Sequence, residues 1–382
     1  MTEIELMLKK DREKLLQLYT RANTKSKISL LAADMISHSY LCETLGINLD
    51  DDEWFCSSDL VNLVKNIGLD IDSLFMSETK TNRDFYDKIF FETFNKFVGM
   101  SFRSYDYYYG MFKFKKLSKK DLMELIFDFL NTYDSILVKR FKSMLDNSQI
   151  IFTDKTWGEI RFFSSLNKNL IFVNSLFGFN VKIGSIITHE LGHDFEKRIY
   201  DSIGGQKYWN YVDATPYNEV SSSFFEYAFI NYLIENRVCS LDSDSCLHNY
   251  LLGILSYSYC VHLLYQVKYF NIDELDRLII DDEKVARYAS AMQEKINFYN
   301  LPSDVNDVIN INGSFIYGIG KLYSIYLYET YKSNPNEFKK EFRNALINYP
   351  TIGGIEAFAN LGITEDVLVK GDALKRVLKN VK

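Results

Sequence analysis

From Thr2 to about Asn147 apolar side chains recur at steps of three and four, as in Phe85-Tyr86-Lys88-Ile89-Phe90 and Leu122-Leu125-Ile126-Phe129. That is the period of a helix with one buried face, so the first part of the chain is predicted to be a succession of amphipathic helices. Ser118, with Asp121 three residues on, has the form of a capping box and predicts one long helix running to about Leu145. Between Gln149 and Asn174 the pattern shortens to Ile150-Ile151-Phe152, Ile160-Arg161-Phe162-Phe163 and Leu170-Ile171-Phe172-Val173, each bounded by Asp, Gly, Asn or Ser. These runs predict a small sheet. Helical spacing returns after Asn180, with a polar break at Ser240 to Ser245 and a loop expected around Pro302 to Gly313. Asn334-Pro335 sets a cap before a proline at the first helical position, and Gly353-Gly354 and Gly362 punctuate the short helices that follow. No stretch suits a linker. The expectation is an N-terminal helical lobe over residues 1–148 and a catalytic region over residues 149–382, joined as one cooperative body.

Composition supports a mainly α protein. Only 4 prolines occur in 382 residues, so long helices meet few breakers. Aromatic residues reach 15%, a load that reads first as a bulky helical core and second as lining for a peptide-binding cleft. The net charge of -7, with lysines scattered along the chain, offers no basic footprint for nucleic acid. The opening MTEIELMLKKDREK is a charged amphipathic segment unlike a signal peptide. The most apolar long stretch, Tyr250 to Phe270, is interrupted by Ser256, Ser258, His262, Gln266 and Lys268, which predicts a buried helix and no membrane insertion. Five cysteines without CxxC spacing indicate neither a disulfide framework nor a cysteine metal site. A reducing, cytoplasmic setting is expected.

The chemistry concentrates in residues 183–201, IGSIITHELGHDFEKRIYD. Ile183, Ile186, Ile187, Leu191 and Phe195 give this segment a packed helical side, and His189 and His193 then share a face. Two imidazoles four residues apart on a helix can direct their nitrogens at one ion about 2 Å away, and zinc suits such ligands. Glu190 sits where a general base for a metal-bound water belongs. A helix with two otherwise satisfied histidines would show the same letters. A catalytic zinc keeps three protein ligands and one open position, which directs the search to a downstream carboxylate. Glu219 stands out, at the head of the helical segment NEVSSSFFEYAFINYLIEN. Glu226, seven residues later on the same face, is placed to accept the second ring proton of a ligating histidine. Ser221-Ser222-Ser223 would let this helix approach the HELGH helix closely. Asp194 and Glu196 are expected to be solvated, and His38, His248 and His262 lack partner spacing and are expected to be non-ligands.

The segment LIFVNSLFGFNVKIGSIITHELGHDF, with NEVSSSFFE after it, resembles the M3 metallopeptidases, the relatives of thimet oligopeptidase and oligoendopeptidase F. The likeness runs from about Ile150 to Gly362 and includes YPTIGGIEAFANLGIT. It implies a two-lobed helical zincin with a deep cleft and a small antiparallel sheet beside the HExxH helix. It implies one zinc per chain on His189, His193 and Glu219, with Glu190 as general base and short unstructured oligopeptides as substrates. It also implies that the strand Leu170, Ile171, Phe172, Val173 and Asn174 takes substrate backbone at a sheet edge. The late family motif carries a histidine and closely spaced tyrosines, whereas this chain reads NINGSFIYGIGKLYS. Tyr317 is kept and becomes the oxyanion donor, with Tyr323 in reserve, while Ile319 stands where another tyrosine is expected. The departure opens an alternative: a catalytically weakened M3-like protein that binds or sequesters peptides.

Overall fold

The structure is a computed structural model that describes residues 3–21, 116–154, 158–163, 168–176, 178–203, 217–238 and 308–380, with isolated positions between 35 and 47 and between 82 and 89. They fall into two compact units, one drawn from Met1–Ser73 and Lys139–Gly178, the other from Leu74–Val138 and Phe179–Lys382. Each unit therefore takes sequence from either side of residue 148. Tyr250 to Phe270, His248, His262 and the other four cysteines beside Cys42 lie outside the described residues.

In the first unit, helix α1 (Glu3–Arg21) packs Leu8 into a core with Phe163, Leu170 and Phe172. His38 Nδ1 lies 2.7 Å from Asp11 Oδ2, both side chains buried. The three predicted strands form: β1 (Ile150–Thr153), β2 (Gly158–Phe163) and β3 (Lys168–Asn174), in the order β1-β3-β2. The sheet is mixed and not antiparallel, because β1 runs parallel to β3 and only β2 opposes it. This order corrects the substrate-strand expectation. Ile171 to Val173 are paired on one side with Ile150 to Phe152 and on the other with Gly158 to Ile160, and Leu170 is paired with Arg161. Asn174 is paired with Thr153. Ile171 to Val173 lie between two strands, so their ladder groups are already used and they offer no edge for a peptide, while Leu170 and Asn174 are each paired with one strand.

Asp134 divides what the apolar pattern reads as one long helix. Ser118 does cap helix α2 (Lys119–Tyr133), accepting from the Asp121 N–H at 3.0 Å. Asp134 then turns to extended backbone (φ -158, ψ 130), and its Oδ1 accepts from Ile136 N at 2.8 Å to start helix α3 (Ser135–Asp146). An aspartate that can satisfy the orphan donors of a new helix makes the break inexpensive.

The second unit is built on helices α4 (Val181–Ile203), α5 (Val220–Glu235) and α6 (Val308–Ser333). Helix α5 is buried on nearly every side and contacts both α4 and α6 extensively, as its apolar composition requires. Helix α7 (Pro335–Ile352) starts at Asn334-Pro335 as expected, and α8 (Gly354–Ala359), α9 (Glu365–Lys370) and α10 (Asp372–Asn380) complete the unit. Phe224 of α5 packs on Phe338 and Phe342 of α7 at ring separations of 5.0 and 5.2 Å, and Tyr133 of α2 meets Phe225 at 5.0 Å. Much of the aromatic excess is core. One expectation fails here: residues from Val308 through Gly313 are helical, so the stretch leading to Tyr317 is not a loop.

Candidate metal centre

Close approaches at three glycines bring the site together. A Cβ on Gly192, inside HELGH, would lie 2.5 Å from Ser222 Cα and 2.8 Å from the Ser221 carbonyl oxygen, so only glycine lets α4 sit this near α5. Ser221 Oγ donates to the Gly192 carbonyl at 3.0 Å across the same junction. On the other side of α5, a Cβ on Gly320 of α6 would strike the Glu219 backbone, including Glu219 Cβ at 2.7 Å. Gly184 lies under the Phe229 ring, where an added Cβ would come within 2.8 Å. The small triplet at Ser221 to Ser223 is fully buried, and the glycines on the neighbouring helices complete the fit.

His189 and His193 project from one face of α4, their ring centroids 5.2 Å apart at 79°. Glu219 sits in the turn that opens α5, without a side-chain cap bond of its own. Its Oε2 is 3.0 Å from His189 Nε2 and 3.4 Å from His193 Nε2. One ligand atom from each of the three residues can be chosen so that all lie within 4.8 Å of one another. Ser222 Oγ donates to the same Glu219 Oε2 at 2.8 Å, the shorter of two acceptors within its reach, the other being the Glu219 carbonyl at 3.1 Å, and so restrains the carboxylate rotamer. Glu190 is buried, and its charge acts on both imidazoles.

Behind His189 lies the other carboxylate. Glu226 Oε2 is 3.2 Å from His189 Nδ1, the contact expected of it. Its two oxygens are also held by lysines: Lys321 Nζ donates to Oε2 at 3.0 Å, and Lys182 Nζ lies 3.5 Å from Oε1. Burial opposes the charge on Glu226, but Lys321 and Lys182 outweigh it and hold the carboxyl well below its ordinary range. Burial lowers the Lys321 ammonium from its usual value, and Glu226 pulls it partly back. Burial likewise disfavours protonation of the two histidines, yet Glu219, Glu226 and Glu190 prevail and raise His189 to about 10. His193 is raised by Glu219 in the same way, and Glu219 is lowered by the two histidines.

The hydrogen-bond chemistry tests whether these residues fit a metal. Glu226 is an acceptor, so it calls for the proton on His189 Nδ1. A neutral His189 then points the lone pair of Nε2 at Glu219 Oε2 across 3.0 Å, and two acceptors face each other. A positive charge belongs between them, whether a second proton or a cation. A His-His-carboxylate set of this kind, with His193 and Glu219 buried and His189 half-buried, matches zinc in donor type and number.

Tyr317 reaches the site on helix α6, half-buried, with its ring 6.4 Å from that of His189. The reserve candidate Tyr323 does not: it is fully buried against Tyr217 at 5.5 Å and Phe358 at 5.3 Å. Ile319 is fully buried as well. Asp194 and Glu196, expected in solvent, are 1% and 0% exposed, since α4 is covered on several sides. Glu196 accepts from Tyr200 Oη at 2.9 Å. Sequence reasoning missed Lys321, Lys182 and Ser222. Ser222 was within reach, because a hydroxyl three residues after a helix-opening glutamate faces it; Lys321 had no local signal, its partner lying 95 residues earlier.

No protein-family model matches this sequence, and no curated protein matches it. Among solved structures the fold is that of the oligoendopeptidase F type of M3 peptidase. A putative oligoendopeptidase F from Bacillus anthracis aligns over 96% of this chain and 69% of its own, at 14% identity and a TM-score of 0.50. PZ peptidase A with inhibitor 2 aligns over 96% of this chain and 70% of its own, at 12% identity and a TM-score of 0.52. A second putative oligoendopeptidase F aligns over 99% of this chain and 80% of its own, at 11% identity and a TM-score of 0.52. Among the described residues no helix is long and apolar enough to cross a membrane.

Proposed function

We propose that this chain is a zinc-dependent endopeptidase that hydrolyses short unstructured oligopeptides. The observation that carries the reading is the arrangement about His189, whose Nε2 faces Glu219 Oε2 at 3.0 Å while its Nδ1 is engaged by Glu226. His189, His193 and Glu219 would hold one zinc per chain. When bound, zinc supplies a Lewis acid that polarises water and the scissile carbonyl.

The chain's own residues supply the rest. Glu190, one position beyond His189 on α4, takes the proton of the attacking water and later delivers it to the leaving amine. Tyr317, on α6 beside the His189 ring, donates its hydroxyl to the developing oxyanion. Glu226 keeps the Nδ1 proton of His189 in place, so that Nε2 stays directed at the metal. Ser222 keeps Glu219 in its ligating rotamer. The solved peptidases that share the fold support peptide hydrolysis as the reaction class. A cytoplasmic setting accords with the cysteine usage.

The experiment is turnover of a fluorogenic oligopeptide library by wild type and by Glu190→Gln, each with and without chelator. Wild type should cleave only in the absence of chelator. The variant should retain one equivalent of zinc and lose at least about a hundredfold in rate. Chelator-insensitive cleavage, or undiminished turnover by the variant, would refute the reading. One observation favours a second function: Ile319 is fully buried and places no donor at the site, consistent with a protein that binds peptides while cleaving them poorly. Peptide binding by the zinc-loaded chain without any cleavage would favour that alternative.

A further inference from the structure

We propose that Lys321 and Lys182 are positioning residues for the metal centre, gripping both oxygens of Glu226 so that Glu226 in turn holds the His189 ring. This rests on the zinc reading given above. The geometry is a relay across three helices: Lys182 stands in the first turn of α4, Glu226 in the middle of α5, and Lys321 in the middle of α6. Glu226 Oε2 receives Lys321 Nζ at 3.0 Å and His189 Nδ1 at 3.2 Å, so one oxygen joins the ammonium to the imidazole. Lys182 Nζ, 3.5 Å from Oε1, constrains the other oxygen.

A carboxylate can rotate about its last bond, and a single contact to His189 would leave that rotation open. Two ammonium groups on opposite oxygens close it. They also compensate a charge that burial would otherwise leave unpaired in a low-dielectric interior. The Glu226 side chain is 7% exposed and that of Lys321 is 12%, whereas Lys182 is 33% exposed and more distant. Lys321 is therefore the principal grip and Lys182 the auxiliary one. Neither lysine touches substrate or metal in this scheme; each acts through Glu226.

The test measures the zinc dissociation constant of the full chain by competition with a chromogenic chelator, at fixed pH and salt, alongside far-UV circular dichroism as a folding control. Lys321→Met and Glu226→Gln should each weaken zinc about tenfold to a hundredfold, the range usual for partners of a ligating histidine. Lys182→Met should cost less than Lys321→Met. Lys321→Arg should recover most of the loss. The decisive variant is Lys321→Met/Glu226→Gln, which leaves no buried carboxylate without its principal ammonium and so lessens the hazard of misfolding attached to Lys321→Met alone; Lys182 loses its Glu226 contact but is 33% exposed. If Lys321 acts through Glu226, the double variant binds zinc as Glu226→Gln does. A folded Lys321→Met with wild-type affinity overturns the proposal, as does a further tenfold loss in the double variant relative to Glu226→Gln. Wild-type protein that binds no zinc overturns the functional reading and this proposal together; wild type that binds zinc while the lysine variants match it overturns this proposal alone.

Discussion

A Cβ placed on Gly192 would lie 2.5 Å from the Cα of Ser222, so the helix carrying both histidines and the helix opened by Glu219 touch backbone to backbone. Gly192, between Leu191 and His193, is thus under a steric demand unrelated to metal chemistry. Gly192→Ala must push α4 and α5 apart, and overpacking of this kind costs about 1–3 kcal/mol. The expected result is a lowered melting temperature together with weaker zinc binding, since the histidines and Glu219 move with their helices. Calorimetry with and without zinc checks both. A variant as stable as wild type with unchanged zinc affinity would show that the contact is not tight in solution.

Removing the metal should loosen the second unit. Zinc that binds the folded site alone stabilises it by RT ln(1 + [zinc]/Kd), about 4 kcal/mol at a thousandfold excess over the dissociation constant. Dialysis against chelator should therefore lower the melting temperature, and stoichiometric zinc should restore it. His193→Ala should abolish that response, because it deletes the group whose Nε2 sits 3.4 Å from Glu219 Oε2. An identical zinc-dependent rise in the variant would place the metal elsewhere.

Tyr317→Phe separates catalysis from binding. Loss of one oxyanion donor costs on the order of a hundredfold in kcat, while zinc content stays at one equivalent because the phenol is not a ligand. Steady-state kinetics with metal analysis on the same sample reads both. A variant with unchanged kcat would move the donor role to another group.

Ser222→Ala probes the rotamer of Glu219. Its hydroxyl donates 2.8 Å to the oxygen that faces both histidines, and a hydrogen bond to a charged acceptor contributes about 1.5–3 kcal/mol. Part of that should appear as weaker zinc binding with little change in fold. Chelator competition checks it, and an affinity equal to wild type would exclude Ser222 from the site.

Much of this arrangement was legible in the chain itself, for physical reasons that differ from residue to residue. HELGH carries two ligands and a base on one helix, so helical periodicity alone predicts that His189 and His193 share a face. The three strands were visible because β-favouring runs were punctuated by turn residues; their order was not, because which strand lies in the middle depends on pairings distant in sequence. The placement of β3 between β1 and β2 is what closes the predicted substrate edge at Ile171 to Val173. The Asp134 break went unread because aspartate is tolerated in a helix and its capping role appears only once its backbone extends. The expected loop from Pro302 to Gly313 lies outside the described residues as far as Asp307; from Val308 to Gly313, where Asn310, Asn312 and Gly313 disfavour a helix, tertiary burial of the following α6 residues prevails over those local preferences. Lys321 escaped notice because a buried lysine is recognised by its partner, and Glu226 lies on another helix.

The central claim is that His189, His193 and Glu219 together hold one zinc ion while Glu190 does not ligate it. The most direct measurement is a crystal of zinc-loaded protein with diffraction recorded on both sides of the zinc absorption edge. The account predicts one anomalous peak per chain, about 2.0–2.2 Å from Nε2 of His189, Nε2 of His193 and a carboxylate oxygen of Glu219, with Glu190 outside bonding distance. A peak that lacks any of these three ligands, or no peak from a crystal grown in excess zinc, would contradict it.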